Sequence, residues 1–110
     1  MTADKTGAPT TVAPEEDRFT IAVDGQHAGS TYFADRDSQR VFYHTEVDDA
    51  FEGRGLATIL VGEALSATKD AGLRIVPVCK LVAGYLDKHQ EFADAVDRPT
   101  LEILRWLRSR

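Results

Sequence analysis

The stretch that most constrains how this chain can fold runs from Val41 to Leu65 and reads VFYHTEVDDAFEGRGLATILVGEAL. Val41 to Val47 is strand-like, Asp48-Asp49 breaks the run, Gly53-Arg54-Gly55 makes a glycine-spaced turn, and a helical pattern follows. Glycines on both sides of Arg54 permit positive φ and let a ligand approach the backbone closely. The first N–H groups of the following helix have no acceptor inside it, and together with the helix dipole they make a site for an anion. The order strand, glycine turn, helix therefore predicts a place to hold a phosphate.

On a helical wheel Leu56, Ala57, Leu60, Val61, Ala64, Leu65 and Ala67 fall within one half, and Thr58, Gly62, Glu63, Ser66, Lys69 and Asp70 within the other. Such a helix lies on a sheet by its apolar half. Lys69 in the last turn and Gly72, with Leu73 beyond, mark its end as a left-handed cap.

Upstream, Met1 to Glu16 holds no bulky apolar residue beyond the initiator except Val12. That is too little surface to offset ordering entropy, so a disordered tail is expected over residues 1–16 and a single domain over residues 17–110. Phe19, Ile21 and Val23 alternate with Arg18, Thr20 and Ala22, and Asp24-Gly25 signals a hairpin into a second strand from about His27 to Ala34. After the polar turn Asp35-Arg36-Asp37-Ser38, Gln39 to Val47 is the third strand of an antiparallel meander.

Downstream, Ile75, Val76 and Val78 make Leu73 to Cys79 a short buried strand. A strand, a crossover helix and a strand form a parallel pair, and Pro77, which cannot donate to a ladder, implies an edge or a place where strands part. Leu81 to Phe92 is expected to be helical, with Leu81, Val82, Tyr85, Leu86 and His89 on one face. Asp97 to Arg110 forms a last helix, with Asp97 as cap, Pro99 in the first turn and a stripe of Leu101, Leu104 and Leu107 beside Ile103 and Trp106. The fold class is α/β (α+β): a three-strand antiparallel meander extended by a parallel strand after a crossover helix, with helices packed on the sheet.

With 110 residues and a net charge of −5, the chain lacks the basic footprint that nucleic acid requires, but a small anionic ligand needs only local donors. Cys79 is the only cysteine and cannot form an internal disulfide, and with three scattered histidines it gives no zinc spacing. No metal is expected, and a reducing, cytoplasmic setting fits. No apolar run reaches the ~18 residues of a membrane span, and the N-terminus has no signal-peptide core, so no membrane partner is expected.

With FYHTEV, the FEGRGLA turn, VPVCK and the YLDKHQEFADAV run in place, the chain from about Phe19 to Val96 resembles the GNAT superfamily of acyl-CoA-dependent acetyltransferases. It is most similar to the short, single-domain N-acetyltransferase domain-containing protein 1-like branch. The resemblance implies a minimal GNAT-like fold and acetyl-CoA or coenzyme A as cofactor. In that superfamily the pyrophosphate rests on amides of a Gln/Arg-x-x-Gly-x-Gly/Ala turn. Gly55 and Ala57 match its small positions, while Glu52 departs from Gln or Arg. By position, the amides of Gly53, Arg54, Gly55, Leu56 and Ala57 would cradle the pyrophosphate, and Thr45, Glu46 and Val47 would pair with the pantetheine arm.

The short branch places a histidine on the strand before the turn and a cysteine at the end of the next strand, and His44 and Cys79 occupy those places. The resemblance thus implies an imidazole-activated thiol. Glu46, on the same side of its strand as His44, would be a general base for direct transfer, as in larger relatives, and Tyr85 a donor to the departing thiolate. The implied function is transfer of acetyl from acetyl-CoA to a small-molecule or protein amine, either directly or through Cys79. The alternative is a non-catalytic coenzyme A or acyl-CoA binding or regulatory module. Neither the acceptor nor the oligomeric state can be read from the sequence.

Overall fold

The computed structural model describes residues 2–110. Its sheet runs in sequence order through β1 (Thr2–Ala3), β2 (Pro9–Pro14), β3 (Arg18–Val23), β4 (Gln26–Arg36), β5 (Gln39–Val47) and β6 (Arg74–Pro77). Neighbours are antiparallel except β5 and β6, which are parallel because α1 (Leu56–Asp70) crosses between them. α2 (Lys80–Lys88), a 3-10 segment (Gln90–Ala95) and α3 (Leu101–Arg108) complete the chain. The fold class expected from the sequence is the one found.

Alternation along the strands sorts the core into two layers. On one face Phe19, Ile21, Val23, Phe33, Phe42 and Ile75 meet Leu56, Leu60, Val61 and Leu65 of α1, with Val82 of α2 and Phe92 closing the end. On the other face Val41 and Val76 meet Ile103, Trp106 and Leu107 of α3. The buried stripe of α1 is Leu56, Leu60, Val61, Ala64, Leu65 and Thr68. Thr68 takes the inward place expected of Ala67, which is exposed, because its hydroxyl donates to the Ala64 carbonyl at 2.8 Å and brings no unpaired group into the core. Leu73 N–H closes the helix on the Thr68 carbonyl at 3.1 Å, as the Gly72 signal predicted.

Three expectations need correction. Residues 2–14 are not a disordered tail: β2 pairs with β3 from Thr10↔Val23 to Pro14↔Phe19, and β1 pairs with β2. Val12 and Ala8 pack against the core, so backbone pairing supplied what apolar content alone did not. Met1 lies outside the described residues. The helix expected over Leu81 to Phe92 ends at Lys88, where the Gln90 amide donates to the Leu86 and Asp87 carbonyls and His89 Nδ1 meets the Tyr85 carbonyl at 2.8 Å. Side chains thereby satisfy the last turn and the chain tightens into the 3-10 segment.

The third correction concerns Asp97, which does not cap the last helix. Thr100 does, accepting the Ile103 N–H at 3.2 Å. Asp97 instead accepts from Gln39 Nε2 at 2.8 Å and Arg74 Nε at 2.7 Å, tying the loop after Ala95 to the starts of β5 and β6.

Two predictions follow from these contacts. Deleting residues 2–14 should cost on the order of 2 kcal/mol or more, since Val12 loses its packing and β3 becomes an exposed edge; a denaturation midpoint unchanged by the deletion would contradict the pairing. The second concerns acid. The Gln39 hydrogen bond first, and then Arg74, hold the Asp97 carboxyl below its ordinary value of 3.8. A depressed folded pKa stabilises fully above the unfolded value and fades as pH falls through the folded one. Asp97→Asn should therefore be less stable than the parent at pH 6, with the gap narrowing below about pH 4. A gap of the same size at pH 3 would refute the linkage.

Candidate active site

The site begins with a register shift. β4 and β5 pair as Tyr32↔His44 and then as Phe33↔Phe42, so Tyr43 is an extra residue in β5. A bulge of this kind re-aims the side chains on either side of it. Phe42 and Thr45, three positions apart, both face the α1 layer, and Val47 follows them; His44 and Glu46 face the α3 side. Just here β5 also loses its other neighbour. Pairing with β6 ends at Phe42↔Pro77, and the Phe42 carbonyl takes both the Val78 and Cys79 N–H groups as the chain turns into α2. The backbone of Thr45 to Val47 is thus left without a β6 partner, at the place where Pro77 predicted that strands part.

Below that opening lies the glycine turn. Gly53 and Gly55 have φ of 79° and 76°, conformations that side chains disfavour. Gly55 is the N-cap of α1 and no side chain caps the helix, so its first amides are left open at a helix start whose residues Gly55, Leu56 and Ala57 line the cleft. That cleft, of about 280 Å³, is lined by Thr45, Glu46, Val47, Gly53, Arg54, Gly55, Leu56 and Ala57, together with Phe51 and Glu52. The structure brings together every residue that sequence comparison placed around a coenzyme.

A second cleft, of about 400 Å³, adjoins the first through Ala57, Thr58 and Leu81 and runs between α1 and α2, past Lys80, Tyr85, Lys88 and His89. Tyr85 stacks on His89 with ring centroids 3.8 Å apart. Its hydroxyl rests on α1 at Gly62, where a Cβ would stand 2.6 Å from the phenolic oxygen. Gly62 costs helix propensity of about 1 kcal/mol and gives the phenol its seat. Burial first, and then the Glu91 carboxylate, raise the Tyr85 pKa above its ordinary value, so the hydroxyl keeps its proton as a donor.

On the α3 side, Glu46 accepts from Tyr32 Oη at 3.2 Å on one oxygen and from His44 Nε2 at 3.3 Å on the other, while the imidazole stacks on Tyr32. His44 and Glu46 are about half exposed, with side-chain accessibilities of 56% and 55%. Cys79 is buried on the opposite face, its thiol donating to Thr45 Oγ at 3.4 Å, and Thr45 in turn bonds Thr31 at 2.8 Å. The expected pairing of His44 with Cys79 is therefore not what the fold assembles: the bulge sends the two side chains to opposite faces of the sheet.

Tyr32 and Thr45 were not singled out from sequence as partners, because neither is visible until the register is known. The loop Asp4-Lys5-Thr6-Gly7 is a turn in which the Asp4 carboxylate accepts from Thr6, two residues on. It packs on the glycine turn: Asp4 Oδ2 stands 3.3 Å from Arg54 Nη1. The Arg54 guanidinium is directed to Asp4 and to the face of Phe51, 5.2 Å away.

Comparison with known proteins bears on this geometry. Among solved structures, a GCN5-like protein from Staphylococcus aureus, determined by NMR, superposes with a TM-score of 0.62 at 18% identity, covering 83% of this chain and 91% of that one. The two share a fold. An aminoglycoside acetyltransferase from an uncultured soil metagenomic sample, in complexes with trehalose and with sisomicin, gives a TM-score of 0.46 at 13% identity over 79% of this chain and 64% of that one. No curated protein matches. The description of the GCN5-related N-acetyl-transferases matches residues 18–95, from the start of β3 through the 3-10 segment after α2. With the split strands and the glycine turn inside that span, the chain belongs to the GCN5-related N-acetyltransferase family of enzymes.

Proposed function

We propose that this enzyme transfers an acetyl group from acetyl-CoA to an amine by direct attack, with the Glu46–His44 pair accepting the amine proton. The observation that carries the reading is the position of Glu46. Glu46 sits on the stretch of β5 that borders the cleft beside the glycine turn and has no β6 partner, while its carboxylate holds hydrogen bonds to His44 and Tyr32 on the outer face, so the base stands on the same strand segment as the cleft.

The residues present fit the coenzyme. Open amides at the start of α1 and the positive-φ glycines suit a pyrophosphate, and the unpaired edge of β5 from Thr45 to Val47 suits an amide-bearing arm. Acetyl-CoA held there would supply the acetyl group as an activated thioester. The chain's own part is to orient the amine and remove its proton. An ammonium substrate would be drawn to the Glu46 carboxylate, and a carboxylate hydrogen-bonded to imidazole can take up the proton released as the C–N bond forms. Tyr85, kept protonated by burial, would donate a proton to the departing thiolate as the C–S bond of the thioester breaks. Cys79 has Thr45 as its partner and no imidazole beside it, which favours direct attack over an acyl-cysteine.

Binding is tested with Ala57→Glu rather than at Gly55, where φ of 76° would confound any substitution with strain. Acidic residues suit a first helical turn, so the fold should survive, while a carboxylate in the cleft repels phosphates. Coenzyme A affinity should fall about tenfold or more, or roughly 1.4 kcal/mol. Equal affinity in calorimetry would move the site elsewhere.

Catalysis is tested by mass spectrometry of an amine panel incubated with acetyl-CoA. Glu46→Gln should lower kcat by about 10²–10⁴-fold and His44→Ala by less, with coenzyme affinity kept. Cys79→Ala should keep kcat within about threefold of the parent. Loss of activity in Cys79→Ala, with a hydroxylamine-sensitive acetyl on the parent protein, would replace direct attack with the covalent route.

A further inference from the structure

The loop between β1 and β2 packs on the glycine turn and is built to hold one shape. Asp4, whose side chain is withdrawn from solvent, accepts on Oδ1 the Thr6 N–H at 2.8 Å, the Thr6 hydroxyl at 2.6 Å and the Ala8 N–H at 3.0 Å. Its Oδ2 faces Arg54. The next residue is tied to the same turn, since Lys5 N–H donates to the Arg54 carbonyl at 3.0 Å. The Lys5 stem then lies across Gly55, where a Cβ would stand 3.2 Å from Lys5 Cε. The ammonium is one bond further on, and no carboxylate among the described residues pairs with it.

The charge balance at the turn gives this placement meaning. Glu46 and Glu52 both line the cleft, and Arg54, the one cation among its lining residues, is engaged by Asp4. A phosphoanion entering this cleft meets helix amides with Glu52 among the lining residues, while the Glu46 carboxylate is turned to the outer face. The cation left uncommitted beside the turn is Lys5.

We propose that residues Asp4 to Ala8 form a strap that supplies Lys5 as a phosphate-binding ammonium, with the Asp4–Arg54 pair as the clasp that positions it. The roles of the two cations are divided: Arg54 anchors the strap, and Lys5, a point charge on a flexible stem, meets the ligand. The strap lies outside residues 18–95, the portion that the family description matches. The identity of the ligand as coenzyme A rests on the function proposed above; the strap itself requires only a phosphoanion.

The test uses the full chain with coenzyme A, with pantetheine, which has no phosphates, and with inorganic pyrophosphate. Lys5→Ala should weaken coenzyme A about threefold to thirtyfold, the range of one charge-assisted contact, and leave pantetheine and the ligand-free melting temperature unchanged. Lys5→Arg should restore the affinity. Asp4→Ala should lower both the melting temperature and the coenzyme affinity, and adding Lys5→Ala to it should change little more. Should Asp4→Ala not fold, the Lys5 variants decide alone. Parent-like coenzyme affinity in Lys5→Ala, or equal weakening of coenzyme A and pantetheine, overturns the proposal. Lys5-dependent binding of pyrophosphate without binding of coenzyme A would retire the coenzyme reading and keep the strap. Binding of neither by the parent protein would overturn both.

Discussion

One extra residue, Tyr43, governs the arrangement of this protein. Without it β5 would alternate evenly, and Phe42, His44 and Glu46 would share a face. With it, Phe42, Thr45 and Val47 all serve the α1 layer, and His44 and Glu46 are freed for the outer face. The bulge also bends the strand where β6, limited by Pro77 and drawn off into α2, ceases to pair. Two local irregularities therefore coincide and leave a stretch of unpaired strand beside the start of a helix. Unpaired backbone groups are costly unless water or a ligand reaches them, and here the cleft gives access to both.

The glycine turn completes the opening because it sets where α1 begins. The helix is anchored by Leu56, Leu60 and Leu65 against the sheet, so its N-terminus cannot drift from the end of β5. Its dipole and open amides are delivered to a fixed point by packing some way from the turn. The strap from Asp4 to Ala8 adds an outer wall to the same point through a buried carboxylate with four donors. The Thr6 hydroxyl hydrogen bond is the largest influence holding the Asp4 carboxyl below its ordinary pKa; burial opposes it, and the Ala8 and Thr6 amides and Arg54 reinforce it.

What could be read in the sequence, and what could not, divides by the range of the interactions involved. The meander, the crossover helix and the parting at Pro77 were legible because alternation, helical spacing and a missing donor are local properties. The turn residues around the cleft were legible for the same reason. The ordering of residues 2–14 was not, since β2 is held by the β3 edge and by Val12 on the core, and composition carries neither. Thr100 displaced Asp97 as a cap because Gln39 and Arg74, far away in sequence, claimed the carboxylate. The face on which His44 lies depends on a single register shift, and nothing in FYHTEV announces it.

That shift also shapes the chemistry available. A sheet one residue thick separates the Thr31–Thr45–Cys79 hydrogen-bond chain from the Tyr32–His44–Glu46 cluster, although Thr45 stands between His44 and Glu46 in sequence. The thiol faces the core, where Thr45 satisfies it; the carboxylate and imidazole are about half exposed to solvent. Moving a proton across the sheet from Cys79 to His44 would require crossing a layer of backbone already committed to the β4 ladder. The fold thus sets the Cys79 thiol on the packed face and the Glu46–His44 pair on the exposed one, so an acceptor arriving from solvent meets the pair before the thiol.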